Sequence, residues 1–255
     1  MTETLTLALV QMAATADRAE NMRRIQGHVS AAPEAALLIF PEYACCLGST
    51  ADVRAAVRPL DVLDAELGGM ARAAGRSLCF GGVPVLDGAH CYNSLLAYDE
   101  TGCRMGRYDK IHLFPSPQAP LDEGTLFRRG EKVATLQLHG WKIGLSICFD
   151  LRFPELYRAM VQPDVLLCPS AFTLKTGQAH WHTLAAARAI ENQCYMIAPN
   201  QCAADRYAHS LAVDPWGVVL LDAGEKEGVF AVTLRRQRLQ AVRKLMPALD
   251  FRCIE

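Results

Sequence analysis

The chain has 255 residues, of which 51% are apolar and 21% charged, with 26 Lys and Arg against 27 Asp and Glu. A net charge of -1 gives no general pull toward nucleic acid or an anionic membrane, and this much apolar content excludes a disordered chain. The length suits one large α/β or sandwich domain, so 1–255 reads as a single domain open to small neutral or mildly charged ligands.

LTLALVQM at the N-terminus reads as the first strand, because no basic leader precedes it and its apolar run is too short for a signal segment. Asp17, with Glu20 three residues later, predicts a capped helix carrying Met22, Ile25 and Val29 on one face. ALLIFPE follows as a buried strand. Leu63, Leu67, Met70, Ala71 and Ala74 keep helical spacing up to a stop at Gly75, and SLCFGGVPV is the next strand. Asp87-Gly88 and the turn DETG at 99–102 then signal antiparallel hairpins.

A long polar loop, 115–130, precedes VATLQLHGWKIGLSIC, a hairpin turning at His139-Gly140. A third helix starts near Pro154 with Phe153, Leu156, Tyr157 and Met160 inward. The strand VLLCP, a helix through WHTLAAARAIEN, and the strands CYMIAP, HSLAV, VVLL and VFAVTL complete the pattern. Alternation of strands and helices mixed with hairpins argues for mixed sheets covered by helices. Leu239, Val242 and Met246 recur at near-helical spacing in the basic run RRQRLQAVRK, whose arginines read as the wet face of a terminal helix.

No stretch approaches the roughly 18 consecutive apolar residues of a membrane helix. The ten cysteines include no C-x-x-C pair, and several sit in apolar strand-like runs, so a reduced, cytoplasmic setting is expected. Neither a Gly-rich phosphate loop nor H-E-x-x-H occurs, and His180 and His182, two apart on a helix, face different sides; no cofactor and no metal are expected.

Three polar residues stand at three strand ends: Glu42 after LLIFP, Lys110 after GRYD, and Cys148 after GLSI. Ligands of layered α/β proteins bind beyond the carboxyl ends of strands, so the three can share a cleft. Asp150 and Arg152, costly to bury unpaired, mark the chain leaving the sheet for that cleft. A thiol nucleophile needs a base, which Glu42 would provide, and an acyl-transfer oxyanion needs positive charge or N–H donors, which Lys110 and the Phe149 N–H would provide. Each residue also has an ordinary use: Cys148 as packing, Glu42 as a helix cap, Lys110 as a solvated loop charge.

The segments LLIFPE, GRYDKIHLF and GLSICFDLRFPELYR, in that order, resemble the glutamate, lysine and cysteine motifs of the nitrilase superfamily of carbon-nitrogen hydrolases. The resemblance implies a four-layer αββα sandwich and a triad of Glu42 as general base, Lys110 as oxyanion stabiliser and Cys148 as nucleophile. It also implies a second glutamate, Glu123, orienting the lysine. PSAFTLKTGQAHWHTLAAARAIENQCYMIAPNQ and HSLAVDPWG resemble the branch containing omega-amidase and deaminated glutathione amidase, which implies Phe172 and Thr173 at the substrate. His209 either touches substrate or hydrogen-bonds within its loop.

The activity implied is hydrolysis of a carboxamide in a small carboxylate-bearing amide, deaminated glutathione or an ω-monoamide such as α-ketoglutaramate, by a homodimer or higher even oligomer. Arg128 or Arg129 would meet the substrate carboxylate, since guanidinium suits planar anions, although surface exposure is the other reading for at least one. The alternatives are nitrile or carbamoyl chemistry in the same family, a non-catalytic scaffold, or a thiol redox sensor at Cys148.

Overall fold

The structure, a computed structural model, describes residues 2–115 and 120–253. Strand β1 (Thr4–Gln11) leads through helix α1 (Arg18–Ala31) to β2 (Leu37–Phe40). Next come α2 (Thr50–Ala56), the short β3 (Arg58–Pro59), α3 (Leu60–Leu63) and α4 (Gly69–Ala74), then β4 (Leu78–Asp87), β5 (His90–Tyr98) and β6 (Arg104–Asp109). Then follow α5 (Glu123–Leu126), β7 (Ala134–Leu138), β8 (Trp141–Leu145), α6 (Pro154–Ala159) and β9 (Val165–Leu167). Helix α7 (Leu174–Asn192), β10 (Tyr195–Ala198), β11 (Leu211–Val213), β12 (Val219–Asp222), β13 (Gly228–Arg235) and α8 (Arg236–Leu245) complete the order.

The local signals act as expected at most joints. Asp17 accepts the Glu20 N–H at 3.0 Å, and α4 stops at Gly75, whose φ of 59° lies in the left-handed region. His139 and Gly140 both have positive φ, 48° and 80°, the turn geometry that matches hairpin twist.

Three details differ from the sequence reading. Leu63 to Ala74 is not one regular helix, because a π-helical turn at Asp64–Gly68 separates α3 from α4. The 115–130 loop contains α5, and its residues 116–119 lie outside the described residues. In α8, Leu239 and Val242 are buried but Met246 falls past the helix end and is exposed, and Arg236 is not on a wet face. Its guanidinium lies 4.2 Å from the Trp141 ring centroid and donates to the Thr2 and Gly140 carbonyls.

The strands form two mixed sheets. One has the order β13-β1-β2-β4-β5-β6 with β3 against β4; the other runs β12-β11-β10-β9-β8-β7. Side chains of β1 alternate between two cores: Leu5, Leu7 and Leu9 enter a cluster shared with Leu136, Ile143 and Ile197 of the second sheet, while Ala8 and Val10 join Ile25, Val53 and Leu67 from the helices outside the first. Leu156, Tyr157, Trp181 and Ala185 of α6 and α7 cover the second sheet's outer face. The result is four layers, αββα. Each fully buried large side chain contributes about 1.5–3 kcal/mol, so the alternation itself fixes which face of β1 meets which layer.

Strand direction sets which ends share a rim. β2 and β4 are parallel, β5 reverses, and β6 reverses again, so β2 and β6 end at the same rim. In the other sheet β8, β9 and β10 are parallel, and the bridge between Met12 and Gln201 joins the two sheets just past the ends of β1 and β10.

Candidate active site

Strand ends and a pinched bulge bring the site together. Gly81 and Gly82 interrupt the β4–β5 register, and a Cβ on them would stand 2.1 Å from the Pro169 side chain and 2.3 Å from Glu42 Cγ. Only glycine lets the segments carrying Glu42 and Pro169 approach this closely. Cys148 N–H donates to the Pro169 carbonyl at 3.1 Å, so the same bulge supports the thiol.

Cys148 opens a tight turn, Cys148–Arg152, with a left-handed φ of 48°. A non-glycine residue there is strained, by roughly 1–2 kcal/mol, and must be held. Asp150 does the holding. Its buried carboxylate accepts the Ile147 N–H at 2.9 Å, the Tyr108 hydroxyl at 2.8 Å and the His112 N–H at 3.1 Å, with His112 Nδ1 at 2.8 Å. Asp150 therefore lies beneath the turn rather than in the cleft expected from the sequence, whereas Arg152 does reach the cleft. Asp150→Ala would orphan several buried donors at once; a loss of about 3–5 kcal/mol in urea unfolding is expected, with Asp150→Asn less affected. Equal stability of Asp150→Ala and the parent would remove this role.

A cavity of about 460 Å³ lies over the turn. Glu42, Lys110, Glu123 and Cys148 line its floor, with Tyr43, Phe114, Phe149, Phe172 and Thr173 on its walls. Lys110 Nζ donates to Glu42 Oε1 and to Glu123 Oε1, both at 2.8 Å, and all three side chains are at most 4% exposed. The Tyr43 hydroxyl donates to Glu123 Oε1 at 2.6 Å, and the Phe114 N–H to Glu123 Oε2 at 2.6 Å. The Cys148 thiol interacts with the Glu42 carboxylate and with the Ala171 N–H.

The charges in this dry pocket shift one another. Burial pushes the Glu42 carboxyl above its usual range; Lys110 opposes the rise and Glu123 adds to it. Burial alone would lower Lys110, but Glu123, Glu42 and Cys148 outweigh it and hold the ammonium well above the usual lysine range. Burial, reinforced by Glu42, pushes the Cys148 thiol well above its usual range, which favours the neutral thiol and leaves its proton to be taken by a neighbouring base. A buried ion pair of this kind is weak evidence for stability and better evidence for a site.

Two participants escaped the sequence reading. Asn93 Nδ2 lies 3.1 Å from Glu42 Oε1, 2.9 Å from Glu123 Oε1 and 3.0 Å from the Tyr43 hydroxyl, tying the two carboxylates together. A fully buried asparagine in the apolar strand HCYNSLLAY was its only signal. Tyr43, beside Glu42, sits at a left-handed φ of 61° that no local pattern announces. At the cavity wall stand Arg152, 5.4 Å above the Phe172 ring, and Arg206, whose buried Nε has no hydrogen-bond partner among the described residues.

The structure places Phe149, Phe172 and Thr173 on the cavity wall, but not Arg128, Arg129 or His209. Arg128 and Arg129 are exposed beyond the end of α5, and Arg128 pairs with Glu131 at 3.1 Å. The sheet-side backbone of that segment is tied down by Arg128 N–H donating to the Cys91 carbonyl, which leaves its side chain to solvent. His209 pairs with Asp222 at 2.8 Å, away from the cavity lining.

The carbon-nitrogen hydrolase family model matches residues 6–244. The chain belongs to that family. This carbon-nitrogen hydrolase is 35% identical to the deaminated glutathione amidase of Synechocystis over 96% of this chain and 97% of the relative. It is 30% identical to an omega-amidase of Mus musculus over 96% and 94% of the two chains. Among solved structures, Nit3 of Saccharomyces cerevisiae, a member of branch 10 of the nitrilase superfamily, superposes with a TM-score of 0.87 at 27% identity, covering 100% of this chain and 98% of that one. The fold is that of the superfamily, and the reaction class is hydrolysis of carbon–nitrogen bonds. No described helix of the hydrolase is long and apolar enough to cross a membrane.

Proposed function

We propose that the protein is a cofactor-free cysteine amidase acting on a small carboxylate-bearing amide. The observation that carries this reading is the meeting of Glu42, Lys110 and Cys148 on the floor of one cavity. Cys148 Sγ attacks the amide carbon as Glu42 takes the thiol proton, and the oxyanion forms against Lys110 Nζ and the Phe149 N–H. Glu42 passes that proton to the leaving nitrogen, releasing ammonia or an amine and leaving an acyl thioester on Cys148. Glu42 then deprotonates water, which attacks the thioester and frees the acid and the thiol. Glu123, Tyr43 and Asn93 are positioning residues that keep Lys110 between the two carboxylates.

For the substrate, the names of the relatives and the cavity agree. Phe149 and Phe172 supply apolar wall, and Arg152 and Arg206, the latter paired with Asp205 at 3.3 Å, supply cations for a substrate carboxylate. The cavity is within the roughly 300–1,000 Å³ of ordinary small-molecule sites, so it has room for deaminated glutathione as well as for α-ketoglutaramate. An amide panel tests this reading: hydrolysis of both anionic amides well ahead of a neutral amide such as propionamide supports it, and equal rates on all three contradict it.

Arg206→Ala should raise KM for the anionic amide by about 10- to 100-fold, the worth of a charge-assisted hydrogen bond, and leave KM for propionamide unchanged. An equal change for both amides would remove Arg206 from carboxylate recognition and leave the triad reading intact.

A further inference from the structure

We propose that His182, His209 and Asp222 form a binding site for a divalent transition-metal ion of the zinc class, outside the reaction cavity and clamping part of its wall. Each residue offers one ligand atom, and these atoms already lie within 4.8 Å of one another. Asp222 turns one carboxylate oxygen to each ring: Oδ2 is 3.0 Å from His182 Nε2, and Oδ1 is 2.8 Å from His209 Nδ1.

Tetrahedral ligands at about 2.0–2.2 Å from a zinc ion stand roughly 3.3–3.6 Å apart, so the longest separation needs to close by about 1 Å. Side-chain rotation at a half-exposed site supplies that. Each imidazole carries its remaining proton on the other ring nitrogen when it ligates, and water takes the fourth position. Two imidazoles with one carboxylate suit zinc, cobalt or nickel and do not suit magnesium or calcium, which take oxygen ligands.

The surroundings hold the ligands in place, as metal sites require. His209 is pinned on both sides of its backbone, its N–H donating to the Gly224 carbonyl at 2.8 Å and its carbonyl accepting from Trp181 Nε1 at 2.8 Å. Its ring stacks on Tyr207 with centroids 4.7 Å apart, and its φ of 52° follows another left-handed residue, Ala208. The Gly224 N–H donates to Asp222 Oδ1 at 2.9 Å. Three separate elements thus contribute: α7, the segment after β10, and the end of β12. Sequence spacing showed only that His180 and His182 diverge; the other ligands come from remote chain segments.

The segment so clamped forms cavity wall. Tyr207 N–H donates to the Phe172 carbonyl at 3.0 Å, and Thr173 bridges to Arg206. Tyr207 also presses on α7 at Gly177, where a Cβ would fall 2.2 Å from the Tyr207 side chain. An ion joining His182 on α7 to His209 and Asp222 therefore fixes Arg206 and Tyr207 against the helix that Thr173 caps.

The test uses EDTA-treated full-length protein with Cys148→Ala, so that the reactive thiol does not compete, titrated with cobalt(II) and with zinc(II). The expected result is one ion per chain, cobalt absorption without a thiolate charge-transfer band, and a zinc-dependent rise in Tm. His182→Gln, His209→Gln and Asp222→Asn should each lose that ion and that rise while melting, metal-free, within about 4 °C of the parent, the worth of the exposed hydrogen bonds each removes. Equal binding by the parent and the variants, or cobalt absorption dominated by thiolate, would overturn the proposal.

Discussion

Cys148→Ala is expected to lower kcat for an anionic amide by on the order of 10⁴-fold or more, because removing a nucleophile abolishes the covalent route and leaves only binding and electrostatic assistance. The fold should persist. Alanine fills much of the same space, and the strained turn is held by Asp150 and by the Cys148 N–H on the Pro169 carbonyl, neither of which involves the sulfur. Ammonia release measured beside a thermal melt separates the two effects: activity lost at unchanged Tm is the predicted outcome, and turnover within tenfold of the parent would refute the nucleophile assignment.

Lys110→Met should cost both activity and stability. Without the ammonium, Glu42 and Glu123, which share it at 2.8 Å each, face one another as buried carboxylates with no cation between them. Breaking one side of a buried ionic cluster costs about 3–5 kcal/mol, and losing the oxyanion partner costs about 10²–10³ in kcat. Acid should relieve part of the stability deficit. Burial already raises Glu42, and removing Lys110 removes the influence that lowers it, so its folded-state pKa moves further above the unfolded value. A raised carboxyl binds its proton more tightly when folded, so its stabilising effect is present at low pH and fades as pH rises through the folded value. The variant should therefore recover stability relative to the parent on acidification from about pH 8 toward pH 5, as urea unfolding at each pH would show. A deficit that stays constant or grows on acidification would contradict the charge account.

Much of the fold was legible because its signals are local. The Asp17 cap, the Gly75 stop and the His139-Gly140 turn each report one joint, and the apolar strands report themselves. The π-helical turn at Asp64–Gly68 was not legible, because one wider turn hardly disturbs the spacing of Leu63, Leu67, Met70 and Ala74. Glu42, Lys110 and Cys148 stood out as polar groups at the ends of apolar strands, a position that layered sheets give a common rim. Asn93 did not, since a single buried amide within a strand has the same pattern as a structural hydrogen-bonding residue.

The arginines show the limit most clearly. Arg128 and Arg129 lie close to Glu123 in the chain yet point to solvent, while Arg152 and Arg206 reach the cavity from segments far apart in sequence. Proximity along the chain cannot report which side of a short helix a guanidinium leaves from. Asp150 makes a related point. Its cost of burial was read as a reason to be in a cleft, but four hydrogen-bonding contacts beneath the turn offset that cost instead.

Covalent capture tests the central claim most directly. With enzyme in excess over an anionic amide, acid quenching at successive times and peptide mapping should show the acyl mass on the peptide containing Cys148, rising and then falling as free acid appears. Complete conversion of the amide with the acyl group on another residue, or with Cys148 unmodified at every quench time, would contradict it.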